Sequence, residues 1–435
     1  MIVLMRLLIL CCGLITAAHF LRFGGTWETA TVLALTIAAL IPGGMPRPIM
    51  ILLALAASWL WADQTVHLAM GRMAFGLPWM RLALILGTVS LLHLALALML
   101  AGKPGQTLYG PFDSKARTTA LTFFLVAAIL TAATAKTPLT LLLGERFLPG
   151  STPLWIALFA LYASVVAGLL LGPRAAKTRS VIWSLFSLVF FTQVLLGLAG
   201  WTAFLMTGKL HLPVPALIVA GPLFRGDGLF MPILLGISLL LVGPAWCSHL
   251  CYIGAWDDRL ARLAPGKPRL LPVWAGKVRL ALLAATVAVP VALRAMDVSW
   301  TVALGLAAVF GLAGVASMAL WSTRTGVMTH CTVWCPIGLL NNLIGRILPW
   351  RIRIDQNCTG CGLCARACRY NALTRIDLER KKTGLTCSLC GDCLPRCPHG
   401  HLGYSFPGLS AQRSREVFVA LTVGLHAVFL AVARI

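Results

Sequence analysis

The chain has 435 residues, of which 59% are hydrophobic and only 11% are charged. A soluble globular domain has about 25% charged residues, so the composition excludes a water-soluble fold and predicts a polytopic membrane protein. Lys and Arg number 36 against 13 Asp and Glu, a net charge of +23. Because the basic residues flank apolar runs instead of forming one soluble face, we attribute them to cytoplasmic loops and expect no nucleic-acid partner.

Apolar runs long enough to cross a bilayer, or nearly so, recur along the whole chain. They cover residues 2–18, 29–43, 48–62, 80–100, 118–135, 154–171, 181–204, 229–246, 277–294, 300–321 and 417–434. The second and third runs are short, so the prediction is eleven spans, or nine if these two form a re-entrant pair. The first run could pass for a signal peptide. We expect a retained helix, in which Cys11 and Cys12 are small buried hydrophobic residues.

Basic residues predict the orientation in the membrane. With the N-terminus inside and alternating spans, 27 of the 36 Lys and Arg fall inside and nine fall outside, among them Lys209 and Arg434. The shorter loops alone also place more Lys and Arg inside than outside. We therefore expect an inner-membrane protein with the N-terminus and segment 322–416 in the cytoplasm.

Two features within the apolar part are candidates for binding. His93 and His426 lie in apolar runs, and a bis-histidine haem would need two such residues, but we expect ordinary buried or lumen-facing histidines and no haem. The proline-rich run 212–222 is either an outer loop or the border of a quinone pocket, because non-helical backbone at membrane depth needs protein or a cavity around it.

An internal repeat marks the second half of the chain. Cys247-Ser-His-Leu-Cys251-Tyr-Ile-Gly matches Cys331-Thr-Val-Trp-Cys335-Pro-Ile-Gly at a constant offset of 84 residues, and the match continues through Arg262 and Arg346. Each copy follows a run predicted to pass from outside to inside. The repeats are therefore parallel, related by an axis along the membrane normal.

The repeat carries two pairs of cysteines, each four residues apart. On a helix such residues share one face, so each pair would present two thiols, and facing repeats would bring four together: Cys247, Cys251, Cys331 and Cys335. That arrangement would suit a further metal centre or a redox-active dithiol, with small-residue packing as the structural alternative. His249 and His330 flank the pairs and could tune or ligate such a centre.

The strongest pattern is a pair of four-cysteine runs. They are Cys358, Cys361, Cys364 and Cys368, then Cys387, Cys390, Cys393 and Cys397 followed by Pro398. In two-cluster ferredoxins with this spacing, the fourth cysteine of each run ligates the other cluster. The prediction is two 4Fe–4S clusters, one held by Cys358, Cys361, Cys364 and Cys397, the other by Cys387, Cys390, Cys393 and Cys368.

The alternative for these runs is a pair of zinc knuckles. Interleaved basic residues would raise the cluster potentials or attract an acidic redox partner, unless they reflect only the positive-inside bias. They are Arg366, Arg369, Arg375, Arg380, Lys381, Lys382 and Arg396.

The predicted fold is therefore an all-α polytopic membrane protein with a small cytoplasmic α+β ferredoxin-like domain. Residues 1–204 would form an N-terminal membrane module and 205–350 a module with the repeated cysteine pairs. Residues 351–407 would form the cluster domain, which is too short to build a large apolar core, and 408–435 a last membrane helix.

The two C-x3-C motifs combined with the paired four-cysteine runs resemble the NapH/NosR-like family of membrane polyferredoxins, over about residues 205–407. The resemblance makes Cys331, Cys335 and Pro336 one family motif and Cys247 and Cys251 the other. It implies membrane electron transfer, in some members from quinol. This chain departs at Tyr252 and Arg369, where proline is usual, in its extra N-terminal spans, and in having no large outer flavin domain of the NosR kind.

The expected function is electron transfer between a membrane donor, quinol or a partner subunit, and a redox protein, as a conduit in a complex and not as a self-contained enzyme. Two alternatives remain. The four thiols of the C-x3-C pairs could handle a soft metal such as copper in an assembly protein, or the N-terminal half could be a transporter regulated by the redox state of the clusters.

Overall fold

The fold is mostly helical and is taken here from a computed structural model that describes residues 2–41, 43–111, 113–205 and 212–433. Lys209 and Arg434, predicted to lie outside the membrane, are not among the described residues. The chain divides into two compact units, Met1–Gly168 and Leu169–Ile435.

Among the described residues of the N-terminal unit there are seven helices, the last of which ends just beyond the boundary of the unit. They are α1 (Ile2–Arg22), α2 (Thr26–Leu40), α3 (Arg47–Ala74), α4 (Met80–Ala101), α5 (Lys103–Tyr109), α6 (Ser114–Lys136) and α7 (Thr152–Leu170). Helix α1 packs against α2 and α4, and α3 packs along α4.

Eleven helices follow in the part of the C-terminal unit that the structure describes. They are α8 (Ala175–Leu198), α9 (Leu217–Arg225), α10 (Phe230–Val242), α11 (Trp246–His249), α12 (Tyr252–Leu263), α13 (Trp274–Ala295), α14 (Trp300–Ser317), α15 (Thr323–Thr325), α16 (Pro336–Gly345), α17 (Arg375–Glu379) and α18 (Ala411–Val432). Short π-helical turns follow α14 and precede α16, at Met318–Ser322 and His330–Trp334.

Ten helices of the described chain are long and apolar enough to cross a membrane, which confirms a protein with many apolar spans. The expectation that the third run is short is wrong, because α3 has 28 residues and continues past Asp63 to Ala74. Helix α2 has 15 residues and a length of about 22 Å, short of the roughly 30 Å hydrocarbon core.

The small domain that holds the four-cysteine runs is built on one antiparallel strand pair, β1 (Arg351–Ile354) and β2 (Leu402–Ser405), with Ile352 opposite Tyr404. Its core is continuous with the ends of membrane helices. Phe418 of α18 stacks on Tyr404, with ring centroids 4.2 Å apart, and Val242 and Ala245 from the end of α10 join the same core. The domain is therefore packed onto the helices of its own unit.

Candidate metal centres

The two four-cysteine runs fold into loops of the same local shape. Cys361 is followed by Gly362 and Cys390 by Gly391, and both glycines have positive φ, 74° and 76°, a conformation that costs glycine least. Each run then makes a 3-10 turn before its fourth cysteine. The local chain therefore curls in the way that brings three thiols of one run towards a common point.

The neighbours of Cys364 and Cys393 show how the runs combine. Burial raises the pKa of Cys364, and the nearby thiols of Cys358 and Cys397 raise it further. Burial likewise raises the pKa of Cys393, with Cys390, Cys368 and Cys387 as the next contributors. Cys397 thus lies near Cys358 and Cys364 of the first run, and Cys368 lies near Cys387, Cys390 and Cys393 of the second run.

The two resulting groups differ in exposure. The first-run group contains Cys358, Cys361, Cys364 and Cys397. The second-run group contains Cys368, Cys387, Cys390 and Cys393. Cys361 is exposed, whereas burial raises the pKa of Cys368 to about 12. A backbone N–H four residues beyond each fourth cysteine donates to its sulfur, from Ala372 to Cys368 at 3.2 Å and from His401 to Cys397 at 3.3 Å.

Within the described residues, no three His, Cys, Asp or Glu side chains converge as the ligands of one metal ion would. A single zinc ion draws its thiolates to about 2.3 Å from one point. In a 4Fe–4S cluster each thiolate binds a different iron and the sulfurs lie farther apart. The grouping of thiols from both runs fits a 4Fe–4S cluster, and the loop glycines and the N–H donors to sulfur are compatible with it.

The four cysteines of the repeat line one pocket, together with Arg279, His330 and Tyr370. All four thiols, of Cys247, Cys251, Cys331 and Cys335, are buried. His249 is not among the lining residues. Its Nδ1 lies 3.0 Å from Ser248 Oγ.

The expectation that each pair lies on one helical face is wrong in detail. Cys247 is in α11 and Cys331 in a π-helical turn, but Cys251 and Cys335 have extended backbone and precede the first residues of α12 and α16. The chain therefore breaks between the two thiols of each pair, and the pocket lies where one helix ends and the next begins.

Contacts across the pocket follow the 84-residue repeat. The Asp257 carboxylate accepts a 2.9 Å hydrogen bond from the backbone N–H of Cys331. Its repeat equivalent, Asn341, donates from Nδ2 to the sulfur of Cys247 at 3.1 Å. A side chain of each repeat thus forms a hydrogen bond with the first cysteine of the other repeat. Burial raises the pKa of Asp257 to about 7.

Arg279 brings an uncompensated charge to this pocket. The residue is 3% exposed, and its Nη2 donates a 3.4 Å hydrogen bond to the carbonyl oxygen of Cys331. Its Nε has no hydrogen-bond partner, and no carboxylate among the described residues pairs with it. A buried cation needs a nearby anion, and the groups beside this one that can supply negative charge are the four thiols.

The second-run group lies directly over the four-thiol pocket. Tyr370, two residues after Cys368, donates to the carbonyl oxygen of Cys247 at 3.2 Å. Ser248 donates to the carbonyl oxygen of Ser388 at 2.9 Å. Cys368 and Cys390 pack against the core that contains Cys331. The pocket, the second-run group and the first-run group with its exposed Cys361 therefore follow one another from the helix ends outward.

Arg369 and Tyr252, the two departures from the family pattern, both make specific contacts. Arg369 donates to the carbonyl oxygens of Ala261 and Gly326, at 3.2 and 3.0 Å, and so joins the small domain to the end of α12. Tyr252 stacks on Phe190 with ring centroids 3.9 Å apart.

Sequence reasoning missed a buried ion-pair network of Arg179, Arg262, Asp258 and Asp392, which joins α8 and α12 to the loop of the second cysteine run. Burial alone would raise the pKa of Asp258, but Arg179 and Arg262 outweigh it, and the pKa lies well below its usual range. An available signal was Arg179, which lies two residues before the apolar run 181–204.

The other candidate residues have local partners. In the N-terminal unit, His93 Nε2 lies 3.0 Å from Thr16 Oγ1. In the C-terminal unit, His426 Nδ1 lies 3.1 Å from the carbonyl oxygen of His249. Cys12 is buried as expected, but Cys11 is exposed.

The proline-rich run is not a free outer loop. A Cβ added to Gly311, within α14, would lie 2.6 Å from a side-chain carbon of Val214, so the run packs against that helix. It continues into α9, where Ile218 joins the core that contains Cys247, Cys251 and Cys335.

Two families of 4Fe–4S binding domains match the chain. The first matches residues 228–270 and 299–355, which hold both C-x3-C pairs. The second matches residues 352–374, which hold the first four-cysteine run.

Two curated proteins are similar to parts of the chain. An uncharacterized protein of Methanocaldococcus jannaschii is 32% identical over 79 residues, which is 18% of this chain and 30% of that protein. A protein of Escherichia coli K12 named "Putative electron transport protein YccM" is 22% identical over 225 residues, 46% of this chain and 61% of that protein. The chain thus covers less than two thirds of either relative. No solved structure matches it significantly.

The domain matches, the electron-transport relative and the ten apolar helices together confirm the predicted class: an iron–sulfur electron-transfer protein with many membrane-type helices.

Proposed function

We propose that this chain carries electrons between a donor in the membrane, quinol or a partner subunit, and a redox protein in the cytoplasm. The observation that supports this best is the series of three cysteine sites, from the pocket at the helix ends to the exposed Cys361. An iron–sulfur centre at each site supplies reversible one-electron chemistry when bound. The protein holds these sites in contact and shields the inner two from water.

Two 4Fe–4S clusters are assigned to the small domain. The proposed ligands are Cys358, Cys361, Cys364 and Cys397 for one and Cys387, Cys390, Cys393 and Cys368 for the other. The neighbours of Cys364 and Cys393 support this exchange of fourth ligands, and the spacing of the runs supports it independently.

A third iron–sulfur centre is assigned to Cys247, Cys251, Cys331 and Cys335. Arg279 supports an anionic centre over a neutral dithiol, because four thiolates on iron would compensate its buried charge and a disulfide or neutral thiols would not. The Nδ2 donor of Asn341 to the Cys247 sulfur suits a thiolate acceptor. The match of 228–270 and 299–355 to a 4Fe–4S domain family points the same way.

The donor is placed on the side of α9. This helix and the proline-rich run before it pack between α13 and α14, and Ile218 lies in the core that contains three of the four thiols. An apolar donor such as quinol that approaches along α9 would meet the pocket without crossing the small domain.

The sequence supports the proposed side of the membrane and the proposed family. The bias of basic residues supports an inner-membrane protein with the small domain in the cytoplasm. The combined cysteine motifs support membership of the NapH/NosR-like polyferredoxins, and the named electron-transport relative supports the same class. The basic residues of the small domain suit an acidic redox partner.

Iron and acid-labile sulfide in anaerobically purified protein test the proposal. We expect about twelve of each per chain in the native protein and about eight in Cys331→Ser/Cys335→Ser, since each 4Fe–4S cluster contributes four irons. Cys11→Ser, on an exposed thiol of the N-terminal unit, is the control and should keep about twelve. About eight irons with one bound copper would favour the metal-handling alternative. Fewer than about six would contradict the two-cluster assignment.

A further inference from the structure

Asp392 lies inside the loop of the second cysteine run, between Cys390 and Cys393. Arg179 of α8 holds its carboxylate with two hydrogen bonds, from Nε at 2.8 Å and from Nη2 at 2.7 Å. Arg262 of α12 donates a third from Nη2, at 2.8 Å. A carboxylate and a guanidinium from a membrane helix are thus fixed beside the cysteines of the second-run group.

The network is closed, and Arg179, Asp258 and Asp392 are buried in it, whereas the Arg262 side chain is 31% exposed. Arg179 is 1% exposed and Asp392 is 4% exposed. Asp258 accepts from both arginines, so two cations face two anions and the formal charges cancel. At such burial water screens little, and each uncompensated charge acts strongly on its neighbours.

This charge balance matters for reduction at the second-run group. Reduction adds one electron to the centre there, breaks no bond and leaves its cysteine ligands in place. The added negative charge is disfavoured by burial, more so here than at the first-run group with its exposed Cys361. The negative charge of Asp392 also makes reduction less favourable, and the positive charge of Arg179 offsets this effect.

We infer that Arg179 and Asp392 together set the reduction potential of the centre held by Cys368, Cys387, Cys390 and Cys393, with Arg179 raising it and Asp392 lowering it. Arg179 is in this sense a positioning residue that contacts the cluster loop and not the cluster's ligands. The inference rests on the proposed two-cluster function. It connects one redox step with a charge pair whose partners are 213 residues apart in sequence.

A purely structural role and an electrostatic role predict different results. If the network only holds the domain in place, then removing either partner should disturb the centre in the same way. If charge sets the potential, then Arg179→Gln and Asp392→Asn should shift it in opposite directions, and the double variant should return close to the native value.

The experiment is a redox titration of the full-length protein followed by electron paramagnetic resonance. We expect Arg179→Gln to make reduction of this centre at least tenfold less favourable, a fall of 59 mV for a one-electron couple. Asp392→Asn should raise the potential by a comparable amount, and Arg179→Lys should stay near the native value. Arg294→Gln, on an exposed arginine in the last turn of α13, is the control and should leave the potential unchanged.

Shifts of the same sign, or no shift, in the two single variants would overturn the inference while the proposed function stands. If Arg179→Gln does not accumulate, Asp392→Asn decides: a higher potential supports the inference, and an unchanged or lower one overturns it. Native protein that shows no reducible iron–sulfur signal would overturn both the inference and the proposed function.

Discussion

At the start of α13, the Arg279 guanidinium is buried beside four thiols with a backbone carbonyl as its hydrogen-bond partner. Such a cation is costly unless an anion is bound nearby. Removal of the Arg279 side chain should therefore have opposite consequences if the pocket holds a metal centre and if it holds only thiols. This makes Arg279 more informative than any one of the cysteines.

We expect Arg279→Leu to lower the iron content from about twelve to about eight per chain, because the anionic centre loses its compensating charge. If the pocket holds only thiols, the same substitution should leave iron unchanged and raise thermal stability, since an unpaired buried charge is replaced by an apolar side chain. Arg294→Leu, on an exposed arginine in the last turn of the same helix, is the matched control. Iron content and melting temperature in detergent measure both outcomes.

Among the loops, the crossing of the fourth cysteines gives a second prediction. Cys368→Ser should alter the paramagnetic signal of the same centre that Cys390→Ser alters, although Cys368 belongs to the first run in sequence. Cys397→Ser should alter the signal that Cys361→Ser alters. Signals that instead follow the order in sequence, with Cys368 and Cys361 acting on one centre, would contradict the exchange of ligands.

Helix α2 is the element whose membrane crossing is least evident from its length. Its two ends nevertheless contact different segments of the N-terminal unit, the loop before α7 and the end of α5. Trp27 Nε1 donates to the carbonyl oxygen of Pro149, and the Ala39 carbonyl accepts from the Tyr109 hydroxyl. Helix α6, which lies between those two segments in the chain, is long and apolar enough to be a full span. These contacts favour a crossing by α2 in addition to the ten long apolar helices of the described residues.

Alkaline phosphatase fused after Gly24 should therefore be active, and the same enzyme fused after Gly44 should be inactive, because the crossing returns the chain to the cytoplasm. Phosphatase activity in intact cells, normalised to the amount of fusion protein, is the measurement. Equal, low activity of both fusions would show that α2 does not cross, and the N-terminus would then lie outside.

The spacing of cysteines was enough to predict the most important groupings. Two residues between thiols, and a fourth cysteine three residues on, predicted the crossing that places Cys368 near Cys393. The 84-residue repeat predicted the meeting of Cys247, Cys251, Cys331 and Cys335. Both predictions rest on local spacing and symmetry, which are written directly in the sequence.

Other features depend on long-range packing and could not be read in this way. The break before Cys251 and Cys335 interrupts a pattern that suits a continuous helix. The contact between Arg179 and Asp392 joins residues on two separate segments, and nothing local in either indicates the other. The length of α3 was underestimated because Asp63 ended the apolar run while the helix continued.

On the scale of the whole molecule, the proposed function makes the C-terminal unit an electron route from the pocket of the four thiols to the exposed face of the small domain. The N-terminal unit contributes its own apolar helices and a cavity of about 160 Å³ bordered by His93, Cys12 and Thr16. None of the cysteines of the three sites lies in that unit, so the proposed function depends on residues after Gly168.

The most direct test is reduction of the small-domain clusters by a quinol in anaerobic proteoliposomes, followed by absorbance and paramagnetic resonance. The native protein should be reduced by quinol. The clusters of Cys331→Ser/Cys335→Ser should still be reduced by dithionite, but by quinol at least a hundredfold more slowly than in the native protein, a difference of about 2.7 kcal/mol in activation free energy. Cys11→Ser should behave as the native protein. Equally fast reduction of the double variant by quinol would contradict entry of electrons through the four-thiol pocket.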